Sequence, residues 1–288
     1  MMTLGVVGLG RMGAPMASRL VTGGYRVAGF DVAGSANLAP PGVTPVASIA
    51  ALAATSEVVL LSLPNGTIAH AVCNALATPG SRARVVIELS TIGIAAASAC
   101  AATLAAADIA YVDAPVSGGV AGAAGGTLTL MVACDPDRYR LVEPILRRFG
   151  SNLFHVGQRA GQGQAMKLLN NFISATALAA TSEAAVFGVQ AGLDLAQIIE
   201  VLNVSSGRTT ASSDKFPRSV LTGRYDFGFA AALMTKDVQL YFESSRAAAA
   251  PDGLAESVAA LWRRFNMACP DADITALYRF LASEERAQ

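Results

Sequence analysis

The run Gly8-Leu9-Gly10-Arg11-Met12-Gly13 spaces three glycines as G-x-G-x-x-G. The first glycine suits a tight turn, the second lets backbone approach a pyrophosphate, and the third lets a helix pack on a strand. An anion at such a helix start meets free N–H groups and the positive end of the helix dipole. The motif carries weight only between a strand and a helix. The apolar run Thr3–Val7 and the helical spacing of Met12, Met16 and Leu20 supply that context. Asp31 closes the next apolar run, Tyr25–Phe30, about eighteen residues past Gly13, where a carboxylate accepts from the ribose 2′-OH of NAD. Val32, Ala33, Gly34 and Ser35 follow it. With no cation there to meet a 2′-phosphate, the pattern favours NAD over NADP.

Further groups bear on chemistry. Asp113-Ala-Pro-Val-Ser-Gly-Gly119 places Ser117, Gly118 and Gly119 just past a strand end, which is where open α/β sheets bind ligands. A hydroxyl and uncrowded backbone N–H groups suit a carboxylate there, although a flexible loop explains the run equally well. Lys167 and Asn171, four residues apart, share one face of a helix. Read alone, Lys167 also fits a lysine snorkelling at a helix start, and Lys236-Asp237 fits a solvated charge pair. His70 and His155 are the two histidines. With no HExxH and no carboxylate cluster, no metal site is expected, and no Gly-x-Ser-x-Gly elbow is present.

The elements that position these groups alternate in the first half. Apolar runs at Thr3–Val7, Tyr25–Phe30, Val58–Leu63 and Val85–Leu89 read as buried strands. Helical patterns follow at 12–22, 67–77 and 94–107. This alternation implies a parallel, doubly wound sheet with helices on both faces. Tyr111–Val116 and Thr127–Ala133 read as two more strands around a glycine-rich loop. Asp135-Pro136 marks a helix start, with Arg147 and Arg148 near its end. After Gly163 the strand signals stop. One long helix is expected over 165–192, with helical segments near 194–204, 231–250, 254–268 and 274–282. The expected division is therefore residues 1–162 and 163–288.

Composition narrows the function classes. The 288 residues hold 21 Lys+Arg and 21 Asp+Glu, so the chain is formally neutral. That balance gives neither a nucleic-acid footprint nor a polybasic membrane patch. With 53% hydrophobic and 15% charged residues, the chain is expected to fold. Cys73, Cys100, Cys134 and Cys269 form no Cys-x-x-Cys pair, which suits free thiols in a reducing cytoplasm. Met1–Gly13 lacks the basic start of a signal peptide. The apolar stretch over roughly 172–193 is about long enough to span a bilayer. Its Ser174, Thr176, Thr181, Ser182, Glu183 and Gln190 favour a buried helix of a soluble protein.

Taken together, GLGRMGAPMASRL at 8–20, DAPVSGGVAGAAGGTLTLMV at 113–132, GQGQAMKLLNN at 161–171 and MTKD at 234–237 resemble the β-hydroxyacid dehydrogenase family. Members of that family include 3-hydroxyisobutyrate dehydrogenase and tartronate semialdehyde reductase, and it is related to 6-phosphogluconate dehydrogenase. The resemblance runs in register over nearly the whole chain. It implies a Rossmann domain followed by an all-α domain, joined by a long interdomain helix, assembled as a homodimer or homotetramer. It implies Lys167 as the catalytic lysine and Asn171 as its substrate-orienting partner. Ser117, Gly118 and Gly119 match the carboxylate loop. Leu63, Pro64 and Thr91 match contacts near the nicotinamide, and Lys236 matches a lysine near cofactor and substrate. Gly8, Leu9, Gly10, Arg11, Met12, Gly13 and Asp31 complete the cofactor set. Arg208 lies in a family-like segment, SSGRTT. The chain departs from the pattern at Ala133-Cys134, where Gly-Gly is usual, and matches it loosely after Pro251.

The implied reaction moves a hydride between NAD(H) and a small β-hydroxy acid or its semialdehyde, with Lys167 as general base and acid. A lysine in that role must be neutral part of the time, and desolvation or a neighbouring cation favours this. Two other readings compete. An NADP-dependent imine reductase or reductive aminase has a similar fold but commonly carries Asp or Tyr at the Lys167 position. A non-catalytic NAD-binding protein has no need of Lys167, Asn171 and the Ser-Gly-Gly loop.

Overall fold

Parallel strands buried on both faces organise the first half of the chain in the computed structural model, which describes residues 2–284. Met1 and residues 285–288, at the outer ends of the two expected domains, lie outside the described residues. The elements run β1 (Thr3–Val7), α1 (Gly13–Thr22), β2 (Arg26–Phe30), α2 (Ser35–Leu38), β3 (Val43–Pro45), α3 (Ile49–Ala53), β4 (Val58–Leu61) and α4 (Gly66–Leu76). Next come β5 (Val85–Glu88), α5 (Ile94–Ala105), β6 (Ala110–Asp113), β7 (Val116–Ser117), α6 (Gly119–Gly125), β8 (Leu128–Ala133), α7 (Pro136–Leu146) and β9 (Gly150–Gly157). Helices follow: α8 (Gln162–Gln190), α9 (Leu195–Asn203), α10 (Ala231–Ala247), α11 (Gly253–Ala268) and α12 (Leu277–Glu284), with a π-helical segment at Ala211–Val220. The chain divides into two compact units, Met1–Lys167 and Leu168–Gln288.

In the first unit β3-β2-β1-β4-β5-β6 form the parallel part of a nine-stranded sheet, extended by β8 and β7, with β9 beside β8. This is the doubly wound order, whose direction reverses between β1 and β4. Side chains alternate across the sheet with the strand period of two. Val58 and Leu60 enter the core under α1, α6 and α7. Val59 and Leu61 enter the opposite core under α3, α4 and α5. That two-sided burial is why these strands read as unbroken apolar runs. Asp135 caps α7 by accepting from the Asp137 and Arg138 N–H groups at 3.1 and 3.0 Å.

Some local structure differs from the sequence reading. The stretch 111–116 splits: β6 ends at Asp113, and Val116–Ser117 pairs antiparallel with β8. Part of the glycine-rich loop is helical, as α6. β9 lies parallel to β8 with mostly exposed or half-exposed residues.

In the second unit the core gathers Trp262, Phe265, Phe216, Leu178 and Val238 from several helices. Phe172 and Tyr241 stack with centroids 4.1 Å apart, fixing α8 on α10. By length and composition α8 is apolar enough to cross a membrane, but half of its most apolar window is buried within the protein.

Candidate active site

At the switch point the β1–α1 loop meets the end of β4. Gly8 has φ +93°, and a Cβ there would lie 2.1 Å from the Ser62 carbonyl oxygen. A Cβ on Gly13 would meet the Gly8 carbonyl at 1.8 Å. Gly10 differs, because nothing lies within 4 Å of its Cβ position and its backbone faces open space. No side chain caps the amino end of α1, and its first turn carries no acid. The loop therefore presents an uncrowded backbone and an uncapped helix start, which fits a dinucleotide pyrophosphate. Leu9 is buried beneath it, whereas Arg11 is exposed.

Asp31 closes this corner. Its Oδ2 accepts from the Leu9 N–H at 2.7 Å and its Oδ1 from the Ala33 N–H at 2.8 Å. The carboxylate thus ties the end of β2 to the glycine loop, and each oxygen retains acceptor capacity for a ribose hydroxyl. No Lys or Arg occurs between Arg26 and Arg82.

The ends of β4, β5 and β6 form a connected polar layer. The Leu63 N–H donates to Ser90 Oγ at 2.6 Å, and the Ser90 N–H donates to Glu88 Oε1 at 2.8 Å. Pro64 is exposed beside Leu63, and Thr91 is half-buried after Ser90. Glu88 and Asp113 are directly opposite in the β5–β6 register, and both are fully buried. Burial pushes the Glu88 carboxyl up to about 8, with the Cys100 and Asp113 charges adding to it and the Ser90 hydrogen bonds opposing it. Burial also raises Asp113, against hydrogen bonds that favour its charged form. These bonds come from the Gly161 N–H at 2.9 Å, the Gln164 N–H at 3.1 Å and Gln164 Nε2 at 2.8 Å.

Those contacts fix the start of α8. A Cβ on Gly163 would lie 2.5 Å from the Met131 carbonyl oxygen and 3.0 Å from Asp113 Cγ, so the helix can begin this close to β6 and β8 only as glycine. Lys167 follows one turn later and is buried, 6% exposed. Asn171 comes one further turn along α8, also buried, so the two share a face as their spacing requires.

Ser117 ends β7, and the backbone turns through Gly118 and Gly119 at φ +125° and +65°. A side chain is strained in either conformation. Gly119 has nothing within 4 Å of its Cβ position.

Within the second unit Asn171 Nδ2 donates to Asp237 Oδ2 at 2.6 Å. Asp237 Oδ1 lies 3.2 Å from Lys236 Nζ. The Lys236-Asp237 pair is therefore not a solvated pair on Asp237's side, since that residue is buried, 3% exposed. Gln164, Asp113, Ser90 and Glu88 were not singled out by sequence reasoning, and Asp237 was read only as half of a solvated pair. Asp113 and Gln164 lie inside quoted motifs, but nothing in their spacing announces a buried network. Arg208 sits exposed in the second unit, two residues before Thr210.

Residues 3–157 match the family model for the NAD-binding domain of 6-phosphogluconate dehydrogenase. Residues 161–281 match the model described as NAD-binding of NADP-dependent 3-hydroxyisobutyrate dehydrogenase. The chain is 35% identical over 251 residues to 2-(hydroxymethyl)glutarate dehydrogenase of Eubacterium barkeri, covering 84% of this chain and 82% of that one. It is 34% identical over 283 residues to an NAD-dependent L-serine dehydrogenase of Pseudomonas aeruginosa, covering 91% and 92%. Among solved structures, Mycobacterium tuberculosis 3-hydroxyisobutyrate dehydrogenase with L-serine superposes with a TM-score of 0.92 at 32% identity, covering 98% and 99%. Fold, glycine loop and these matches define an oxidoreductase that uses a nicotinamide dinucleotide. Within that class the chain belongs to the β-hydroxyacid dehydrogenase family, whose named relatives are dehydrogenases of hydroxy acids.

Proposed function

We propose that the protein oxidises a small β-hydroxy acid, or reduces the matching semialdehyde, with NAD(H) as cofactor and Lys167 as general base and acid. The observation that carries this reading is a buried lysine one helical turn from a buried asparagine, on a helix whose start is built into the strand ends of a dinucleotide fold.

Each residue's part follows from its chemistry. The Ser117 hydroxyl and the backbone N–H groups of Gly118 and Gly119 bind the substrate carboxylate. Asn171, held by Asp237, orients the substrate hydroxyl. Lys167 takes the hydroxyl proton during oxidation and returns it to the oxygen during reduction. Lys236, paired with Asp237, is a further candidate contact for cofactor and substrate. Bound NAD supplies the hydride acceptor. Gly8, Leu9, Gly10, Arg11, Met12 and Gly13 hold its pyrophosphate, Asp31 its adenosine ribose, and Leu63, Pro64 and Thr91 its nicotinamide side. The acidic Asp31 and the absence of Lys or Arg between Arg26 and Arg82 support NAD over NADP.

The names of the relatives suggest the substrate skeleton. 3-Hydroxyisobutyrate, L-serine and 2-(hydroxymethyl)glutarate share HO–CH2–CH(R)–COO−. We assign the same skeleton here, with R open. We further assign the cofactor and the Ser117–Gly119 carboxylate loop to residues 1–162, and the remaining substrate contacts and the assembly contacts to residues 163–288. The protein works as a homodimer or homotetramer in the cytoplasm, where its four free thiols suit a reducing setting.

The test is absorbance in the NADH band with NAD, or separately NADP, and a panel of such acids, beside a Lys167→Ala control. NAD-dependent turnover that falls by about 10³-fold in the control is expected. Turnover confined to NADP, or undiminished in the control, refutes the assignment.

A further inference from the structure

Gln164 is fully buried, 0% exposed, and lies three residues before Lys167 on α8. A primary amide has two acceptor sites and two donor hydrogens. In Gln164 all are used. Oε1 accepts from the Ile92 N–H at 2.8 Å and the Gly93 N–H at 3.1 Å. Nε2 donates to the Ser90 carbonyl at 3.1 Å and to Asp113 Oδ1 at 2.8 Å. Its backbone N–H donates to Asp113 Oδ2 at 3.1 Å.

These bonds join three segments within the first unit. The turn Ser90–Gly93 contains Thr91, and Ser90 in turn accepts from the Leu63 N–H at 2.6 Å. Asp113 stands four residues before Ser117. The first turn of α8 carries Gln164 itself, and Lys167 stands in the turn that follows. One side chain thus connects the segments assigned to the nicotinamide side, the substrate carboxylate and the base. Other residue types disrupt it. Methionine keeps the length but strands two N–H groups, a carbonyl and a carboxylate oxygen in a buried layer. An ionised glutamate sets a second charge against Asp113.

We propose that Gln164 is a positioning residue whose amide sets the spacing between the turn after β5 and the first turn of α8, and through it the alignment of Lys167 for proton transfer. The inference rests on Lys167 being the base. Gln164 itself is too deeply buried to touch substrate. It acts through the residues it holds, and misplacement by about an ångström suffices for losses near 10²-fold.

The test compares Gln164→Met and Gln164→Glu in the full chain. The first readout is kcat and KM for NAD with the best acid of the panel, across pH. The second needs no cofactor: the pH profile of Lys167 acylation by acetic anhydride, followed by peptide mass spectrometry. Gln164→Met is expected to lose about 10- to 100-fold in kcat at every pH. Its KM for NAD should change only a few-fold, and its acylation profile should be displaced from wild type. Gln164→Glu should retain activity best at low pH, where a protonated carboxyl still donates one bond. Its kcat relative to wild type should then fall as pH rises, and this comparison holds even if Gln164→Met fails to fold. Wild-type kcat and wild-type acylation in Gln164→Met, or a pH-independent ratio in Gln164→Glu, would overturn the positioning role. Lys167→Ala run alongside keeps the two failures apart, because turnover surviving there overturns the base and not the spacing.

Discussion

Asp31 engages backbone with both carboxylate oxygens, through the Leu9 and Ala33 N–H groups. It therefore shapes the glycine loop, and the proposed ribose contact would use its remaining acceptor capacity. Asp31→Asn keeps an oxygen for the Leu9 N–H but removes the charge, whereas Asp31→Ala removes both. We expect KM for NAD to rise about tenfold in Asp31→Ala, roughly the loss of one charge-assisted bond. Discrimination against NADP should relax in both variants. Steady-state kinetics with each cofactor checks this, and an unchanged NAD-to-NADP ratio contradicts it. At this scale the glycines and Asp31 were legible because their spacing is itself the signal. Asp237 was not. A Lys-Asp dipeptide on a helix looks solvated until the fold buries the aspartate against Asn171.

Among the elements, β5 carries an unusual end. Glu88 stands opposite Asp113, with its Oε2 buried and without a hydrogen-bond partner among the described residues. Burial holds its carboxyl at about 8, against 4.5 for the ordinary group. Between these values the folded protein keeps a proton that the unfolded chain has released. Stability from this group is therefore complete below about pH 4.5, falls as pH rises, and levels off above about 8. Glu88→Gln is neutral throughout and escapes that loss. Thermal unfolding of both proteins across pH 5 to 9 should show a Tm advantage for Glu88→Gln that grows by several degrees toward pH 8 and then stays constant. An advantage that does not vary with pH would refute the assignment. The strands around Glu88 were readable because burial on both faces makes them continuously apolar. β9 was not, since its largely exposed residues carry no such run. The π-helical segment 211–220 also escaped, with Pro217 interrupting its pattern. α8 was legible from length and apolarity, but its anchoring depends on Gly163 and Gln164, whose partners are distant in sequence.

For the molecule as a whole, the two units are built on different principles. The first buries both faces of a sheet, and the second gathers helices around Trp262. Alternating periodicity in one half and its loss in the other made that difference visible in the sequence. The substrate's R group was not visible, because one sequence does not mark the side chains that surround it. The central claim is that this architecture serves one proton-transferring lysine. The most direct test is chemical rescue of Lys167→Ala, following NADH formation from the best β-hydroxy acid while small primary amines are added. Turnover that is lost in the variant and restored in proportion to amine concentration, rising with amine basicity, is the predicted result. Wild-type turnover by Lys167→Ala without any amine would contradict it.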